Sequence, residues 1–177
     1  VHLVVGGTWG GAYSGHYEKY IKRTSSGWGS PETVSSNIWT TRAAMAIDQN
    51  NNVHVVYSQR PWAGDYYELR YRQRTASGWQ SEEIVQEKSV GYGANSIALD
   101  SDDNVYVVWR DGGEGDPGCI KIRKRISSGW QVTEDVCPQS EYRQVEPTIA
   151  IDSNDYLHVV WYGKHSSSPD YYQIRHR

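Results

Sequence analysis

Short runs in which apolar side chains dominate, or alternate with polar ones, follow one another along the whole chain, and no 3.6-residue helical stripe competes with them. The runs VHLVV (1–5), VHVVY (53–57), VYVVW (105–109) and LHVVW (157–161) are rich in β-branched and aromatic residues, and Asn, Asp, Ser and Gly cluster between such runs. That is the pattern of strands joined by turns. Pro31, Pro61, Pro117, Pro138, Pro147 and Pro169 all fall at the edges of such runs or between them, where a missing N–H is tolerated.

The runs repeat. Trp28, Trp79 and Trp130 recur 51 residues apart, each within SGW, and Asp48, Asp100 and Asp152 recur at 52. His2, His54, Tyr106 and His158 keep the same step, as do Arg23, Arg74, Arg125 and Arg177, and Glu32, Glu83 and Glu134. Each unit reads as four strands: MAIDQ, IALDS or IAIDS; then the VHVVY type; then an alternating stretch ending in Arg, such as LRYRQR (69–74); then a run opened by SGW, such as WQSEEIVQ (79–86). Four strands in a period near fifty residues predict a β-propeller blade. The expected fold is therefore all-β, a propeller of four-stranded antiparallel blades with repeats at 1–42, 43–93, 94–146 and 147–177. The first copy opens on a second strand and the last closes on a third, giving about three and a half blades and fourteen strands. Bare blade faces are association sites. A ring completed by a second chain, most simply a homodimer, is expected, or else a larger propeller of which this is a piece.

What every copy shares serves what every copy needs, namely packing and turn geometry. Asp48, Asp100 and Asp152 are expected to accept backbone N–H groups in the turns they open. The alternative at Asp100, Asp102 and Asn104 is a calcium loop, although the sixth position has no Gly and the twelfth no acid. No other metal or cofactor is expected. His54 and His158, replaced by Tyr106 in the third copy, are expected to pack, and the repeated Arg and Glu to form exposed cross-strand pairs.

The strings RTSSGWGSPE (23–32), RTASGWQSEE (74–83) and RISSGWQVTE (125–134) resemble the Asp-box turn of sialidase-like (BNR-repeat) propellers, and PTIAIDSNDYLHVVW (147–161) is similar to the strand pair preceding that box. The resemblance spans essentially the whole chain. It implies a turn between third and fourth strands shaped by Ser/Thr, Asp, Gly and a closing aromatic, here with Ser26, Ser77 and Ser128 in place of the Asp. Boxes of this type are structural in that superfamily, so the resemblance implies blade architecture rather than activity. The family's Arg-Ile-Pro motif is absent.

Composition narrows the partners. Net charge is −3 with no basic run, which leaves no footprint for duplex nucleic acid, and no stretch approaches the roughly 18 apolar residues of a membrane-spanning helix. Eight Trp and 14 Tyr beside no Phe are too many aromatics for a disordered chain. Tyr and Trp combine an apolar plate with a hydrogen-bonding tip. In a blade, the connections from strand two to three and from strand four to the next blade leave on one face, and these carry Trp9, Tyr13, Tyr17, Trp39, Trp62, Tyr66, Tyr67, Tyr92, Tyr142, Tyr171 and Tyr172, together with Arg60. This set, Tyr17 excepted, is the predicted ligand site. Aromatic plates suit the C–H faces of a sugar ring and neighbouring polar groups its hydroxyls, so the expected function is lectin-like carbohydrate binding without catalysis. Two alternatives remain open. One is a piece of a sialidase-like glycoside hydrolase, for which Arg42, Arg60, Arg110, Arg143, Glu141, Tyr142, Asp65 and Asp111 are available and two carboxyls about 5–9 Å apart are required. The other is a protein-interaction scaffold whose aromatics pack between blades. No CxxC, HExxH, phosphate loop or nucleophile elbow is present, and no catalytic or metal residue is assigned.

Cys119 and Cys137 stand symmetrically about residue 128 in the third SGW turn, which sets them opposite each other in a hairpin. Opposed residues have Cβ atoms about 4.5–5.5 Å apart, within a small adjustment of a disulfide. A disulfide is expected, and with it a secreted or periplasmic setting. The chain opens on Val1 without a charged-then-apolar leader, so a targeting segment is expected to have been removed or to lie upstream.

Overall fold

A computed structural model describes residues 1–8, 16–35, 39–61, 66–90, 94–112, 118–137, 143–165 and 168–177. Every regular element among them is a strand, and the strands form four antiparallel sheets in chain order. The first holds β1 (His2–Thr8), β2 (His16–Thr24), β3 (Gly27–Trp28) and β4 (Glu32–Thr33). The second holds β5 (Thr40–Ile47), β6 (Val53–Gln59), β7 (Tyr67–Thr75), β8 (Gly78–Trp79) and β9 (Glu83–Val90). The third holds β10 (Asn95–Leu99), β11 (Val105–Asp111), β12 (Cys119–Ile126), β13 (Gly129–Trp130) and β14 (Glu134–Asp135), and the fourth β15 (Gln144–Ile151), β16 (Leu157–His165) and β17 (Ser168–His176). Each sheet is one propeller blade. Among the described residues the first blade has no strand inside β1 and the fourth none outside β17. The fourth strand of each blade that has one is broken into two pieces, so seventeen elements stand where fourteen strands were expected. β5 and β15 begin three residues ahead of the repeat boundaries drawn on the sequence, because bulges at Arg42 and Glu146 interrupt their alternation.

The turns follow from short polar side chains. Asp48 accepts the N–H groups of Asn50 and Asn52 at 2.9 and 2.7 Å, Asp100 those of Asp102 and Asn104 at 3.1 and 2.9 Å, and Asp152 those of Asn154 and Tyr156 at 2.8 and 3.0 Å. Asn51, Asp103 and Asp155 complete these turns at φ of 61, 60 and 62°, a left-handed conformation that Asn and Asp tolerate. At the opposite hairpin, Gly27, Gly78 and Gly129 lie at φ of 115, 106 and 115°, where L side chains are strained. The Thr24 and Thr75 hydroxyls accept the Ser26 and Ser77 N–H groups at 3.3 and 3.2 Å, so hydroxyl chemistry closes the turn without an Asp.

The core lies between blades. Alternate residues of each second strand face back onto the preceding blade: Val53, Val55 and Tyr57 meet Val4, Tyr20 and Val34. Val105, Val107 and Trp109 meet Val56, Leu69 and Tyr71, and Val159 and Trp161 meet Val108, Ile120 and Val136. Where the repeated Arg and Glu pair, they do so across these seams rather than as exposed cross-strand pairs. Glu32 receives Arg74 Nε and Nη2 of the next blade at 2.7 and 2.9 Å and Trp79 Nε1 at 2.9 Å, and Glu83 receives Arg125 through the same fork at 2.8 and 2.8 Å. Trp79 and Trp130 stand edge-on to Tyr20 and Tyr71 of the preceding blade, with centroids 5.6 and 5.5 Å apart. Blades stack face to face, so a side chain leaving the sheet plane meets the next blade before it meets its own neighbouring strand.

One repeat drifts. Val160 pairs with His176, where Val56 pairs with Tyr71 and Val108 with Ile122, so β17 sits two residues out of the sequence step. Arg177 consequently takes the place of Arg72 and Arg123 rather than of Arg74 and Arg125: all three donate Nη1 to a carbonyl of the preceding blade, at Val34, Val85 and Val136 respectively.

Candidate functional site

First and third strands start, and second and fourth strands end, on the side of the long connections. Among the described residues, only Asp48 and His54 of the buried polar side chains lie at the other, turn end. There both are satisfied. His54, 3% exposed, lies between Asp48 Oδ2 at 3.1 Å from Nε2 and the Tyr71 hydroxyl at 2.7 Å from Nδ1, consistent with a neutral ring that donates to the carboxylate and accepts from the phenol. Burial pushes the His54 pKa down, partly opposed by Asp48. Burial also acts to raise the Asp48 pKa, but hydrogen bonds from Asn52 and His54 outweigh it and hold the carboxyl below its ordinary value.

The loop end differs. Both carboxyl oxygens of Glu18, Thr41 Oγ1, Ser58 Oγ, Gln59 Oε1, Asn95 Oδ1 and Arg143 Nε are buried without a hydrogen-bond partner, and each residue lies within three positions of a strand's loop end. Among the described residues, only Trp130 Nε1 and Arg175 Nε are in that condition in the turn-side half of the blades. An unpaired buried polar group costs about 1–3 kcal/mol, and most of that cost falls at the loop end. Glu18 occupies the rung of Leu69 and Ile120 in the next two blades, and burial pushes its carboxyl up to about 7. Two glycines make room for polar neighbours of this layer. A Cβ at Gly118 would lie 2.6 Å from Arg110 Nε, and one at Gly163 would collide with the Gln144 amide.

The innermost strands are tied together here. Arg42 of β5 and Glu146 of β15 pair at 2.8 Å across the intervening blade, from bulged positions with φ of 55 and 52°. Asn95 of the intervening β10 donates to the Arg42 carbonyl at 2.8 Å. Sequence reasoning named Arg42 only for an enzyme and missed Glu146. The signal was their separation of two whole repeats.

Of the predicted ligand residues, Trp39 is 46% exposed and its carbonyl accepts the Arg60 N–H at 2.8 Å. Gln59 pairs with Glu68, so Arg60 and Tyr67 fall on the next rung, and Trp39, Arg60 and Tyr67 form one row across the mouth of the second blade. Tyr66 adjoins them, with Lys88 Nζ 5.7 Å from its ring centre. Tyr172 pairs with Lys164, the rung matching Arg60 and Tyr67 two blades on, and its ring stands edge-on to Tyr162 at 5.4 Å. Tyr171 lies on β17. Trp9, Tyr13, Trp62, Tyr92 and Tyr142 lie outside the described residues, as do Asp65 and Glu141. Asp111 pairs with Lys121 at 3.4 Å.

The calcium reading does not fit the donors. Asp100 Oδ2 already receives Asn104 Nδ2 at 2.9 Å, the Tyr106 hydroxyl at 3.2 Å and the Lys124 ammonium at 3.3 Å, which makes it a turn clamp. The cysteines do stand opposite each other, in line with the Lys121–Asp135 and Ile122–Glu134 pairs. Both are free thiols with sulfurs 2.9 Å apart rather than a bonded pair: Cys119 Sγ donates to the Cys137 carbonyl at 2.8 Å, and the Ile120 N–H reaches Cys137 Sγ at 3.0 Å. The Cys119 thiol's hydrogen bond holds Cys137 down to about 7 and correspondingly raises Cys119.

A cleft of about 510 Å³ opens at the turn end between the second and third blades, with Asp48, Asn52, His54, Asn104 and Arg125 in its walls. These side chains are engaged: Asn52 Nδ2 donates to Asp48 at 2.8 Å, Asn104 Nδ2 to Asp100, His54 to Asp48, and Arg125 to Glu83.

No protein-family model matches the chain, and no curated protein matches it. Solved structures do. A thermostable family-43 glycoside hydrolase superposes on 91% of this chain with a TM-score of 0.55 and 12% identity, over 67% of its own length. A xylan β-1,4-xylosidase from Bacillus halodurans C-125 superposes on 99% with a TM-score of 0.59 and 9% identity, over 38% of its own length. A fucose lectin from Kordia zhangzhouensis in complex with methyl-fucoside matches 75% of this chain and 96% of its own, with a TM-score of 0.49 and 12% identity. The two hydrolases are β-propeller proteins, in agreement with the fold, and this chain spans about two thirds of one and under two fifths of the other.

Proposed function

We propose that this chain binds carbohydrate at the loop ends of its blades, without transforming it. The observation that carries this reading is the layer of buried, unpartnered groups at Glu18, Thr41, Ser58, Gln59, Asn95 and Arg143, beside the row Trp39, Arg60 and Tyr67. A ligand dense in hydroxyls supplies both donors and acceptors to such a layer, while an indole plate takes the ring's C–H face. That the similar folds are a glycoside hydrolase and a xylosidase supports the reading by analogy of architecture. On this reading the SGW turns are Asp boxes of the sialidase-like type reduced to Ser, and the Cys119 and Cys137 thiols, 2.9 Å apart, are oxidised to a disulfide in a secreted or periplasmic setting. Intact mass after thiol alkylation tests the last point: two blocked thiols on protein taken from its native compartment contradict it.

A second reading, part of a glycoside hydrolase, draws on the same likeness. At the loop end, however, Glu68 is paired with Arg70 at 2.9 Å, Glu146 with Arg42 at 2.8 Å and Asp111 with Lys121 at 3.4 Å. Of the carboxyls named at this end only Glu18 lacks a charge partner, and acid–base work on a glycosidic bond takes two, which favours binding. A glycan array decides. Saturable binding that Trp39→Ala weakens, with no release of sugar from the bound glycan, is the expected outcome; turnover would establish the hydrolase, and a flat array with folded protein would defeat both.

A further inference from the structure

Trp109 and Trp161 stand one repeat apart on successive second strands, each indole packed into the seam with the preceding blade. Trp161 is satisfied from within the protein. Its Nε1 donates to Gln144 Oε1 at 2.8 Å, the Gln144 amide donates in turn to the Lys164 carbonyl at 2.9 Å, and Gly163 leaves the room that this amide fills. Trp109 is 0% exposed, and its Nε1 has no partner.

Three oxygens in the same seam, between the second and third blades, share that condition. Asn95 is the cross-strand neighbour of Trp109, and with Nδ2 donating to the Arg42 carbonyl at 2.8 Å its Oδ1 is left unpaired. On the facing side, Thr41 and Ser58 are cross-strand neighbours on the second blade. Ser58 lies two residues along from Val56, which belongs to one buried cluster with Trp109, and neither hydroxyl has a partner. Two residues nearer the loop end, on the same face as Thr41 and Ser58, comes the row Trp39, Arg60 and Tyr67. An aromatic mouth thus stands over an uncharged polar floor.

We propose that this seam is the specificity pocket of the loop-end site and takes the primary hydroxyl of a neutral hexopyranose, an inference that rests on the carbohydrate-binding reading above. A hydroxyl gives one hydrogen bond and accepts two. It can donate to Asn95 Oδ1 while accepting from Trp109 Nε1 and from a Ser58 or Thr41 hydroxyl. A carboxylate has no proton for Asn95 Oδ1, and an ammonium has no lone pair for Trp109 Nε1. Depth selects which hydroxyl enters. Two residues along a strand are about 7 Å, so a ring plated on Trp39 keeps its own hydroxyls near the mouth and reaches the floor only with its exocyclic arm. A pentose lacks that arm and a 6-deoxy sugar ends it in a methyl group, and either would leave the floor unpaired in the complex. A site built to hydrogen-bond a hydroxyl rejects the analogue without one.

Calorimetry on the 177-residue chain tests this with methyl glucoside, galactoside and mannoside, each beside its 6-deoxy and its pentoside counterpart. At least one hexoside is expected to bind about tenfold more tightly than both of its counterparts. Ser58→Ala and Thr41→Val each remove a hydroxyl that is unpaired in the free protein, so neither threatens the fold, and each should bring the hexoside's affinity down toward that of its counterparts. Equal binding of the three members of every set overturns the inference, as does a preference that survives both substitutions. Binding to none of these sugars overturns it too, and a flat glycan array would in addition defeat the carbohydrate reading on which it rests.

Discussion

The two ends of each blade use the same kinds of side chain to opposite effect. At the turn end Asp, Asn, His, Arg and Glu saturate one another: Asp48 holds Asn50, Asn52 and His54, and Glu32 holds Arg74 and Trp79. At the loop end Glu18, Ser58, Gln59 and Asn95 are equally withdrawn from water and leave oxygens unpaired. Paired buried groups specify how blades stack, while unpaired ones detract from stability until something binds. The contrast separates residues that hold the propeller from residues available to a ligand.

The largest break in that contrast is expected at His54. Its replacement by Ala leaves the Tyr71 hydroxyl and an Asp48 oxygen unpaired inside the second-to-third seam, and should lower unfolding free energy by about 3 kcal/mol in denaturant titration. Sugar binding by the folded fraction should be unchanged.

At the loop end the sign reverses. Glu18→Leu restores the apolar residue type that the next two blades carry and should stabilise by about 2 kcal/mol at pH 8. The pH dependence follows from the raised pKa. The folded state holds the Glu18 proton more tightly than the unfolded chain, so stability is full below 4.5 and falls as pH rises from there through about 7. The lowered pKa of His54 acts in the other direction: its stabilisation is full above 6.5 and is lost as pH falls through that value. The thermal midpoint of Glu18→Leu should therefore gain on that of the parent protein as pH rises from 5 to 8, and a constant difference between the two would contradict the assignment.

Trp39→Ala is expected to cost about tenfold in affinity for the glycan, or about 1.4 kcal/mol, by calorimetry, with no measurable change in unfolding. Arg74→Lys is the smallest effect. It keeps the charge but loses the fork on Glu32, and should destabilise by about 1 kcal/mol while leaving binding alone. A change of affinity in Arg74→Lys would blur the division between the two ends.

Much of the scaffold was legible because a propeller writes its architecture along one dimension. The 51-to-52-residue step gives the blades, the recurring Asp gives the turns, and symmetry about residue 128 places Cys119 opposite Cys137. Partners across a seam were not legible, since a repeated Arg and a repeated Glu look alike whether they meet within a sheet or between sheets. The two-residue drift of β17 was hidden for a similar reason: Arg177 keeps the sequence step of Arg125 yet performs the task of Arg123. The aromatic row at Trp39, Arg60 and Tyr67 was anticipated, but the polar layer was not. Setting Glu18 beside Leu69 and Ile120 in the repeat was the available clue, because a carboxyl on an apolar rung is the one substitution there that packing alone does not explain.

The most direct test of the divided blade is a crystal structure with a sugar identified on the array. The account predicts the ligand at the loop ends, against Trp39 and within hydrogen-bonding distance of the groups now unpaired at Ser58, Gln59 or Asn95. Density for the sugar in the turn-end cleft between the second and third blades, beside His54 and Arg125, would contradict it.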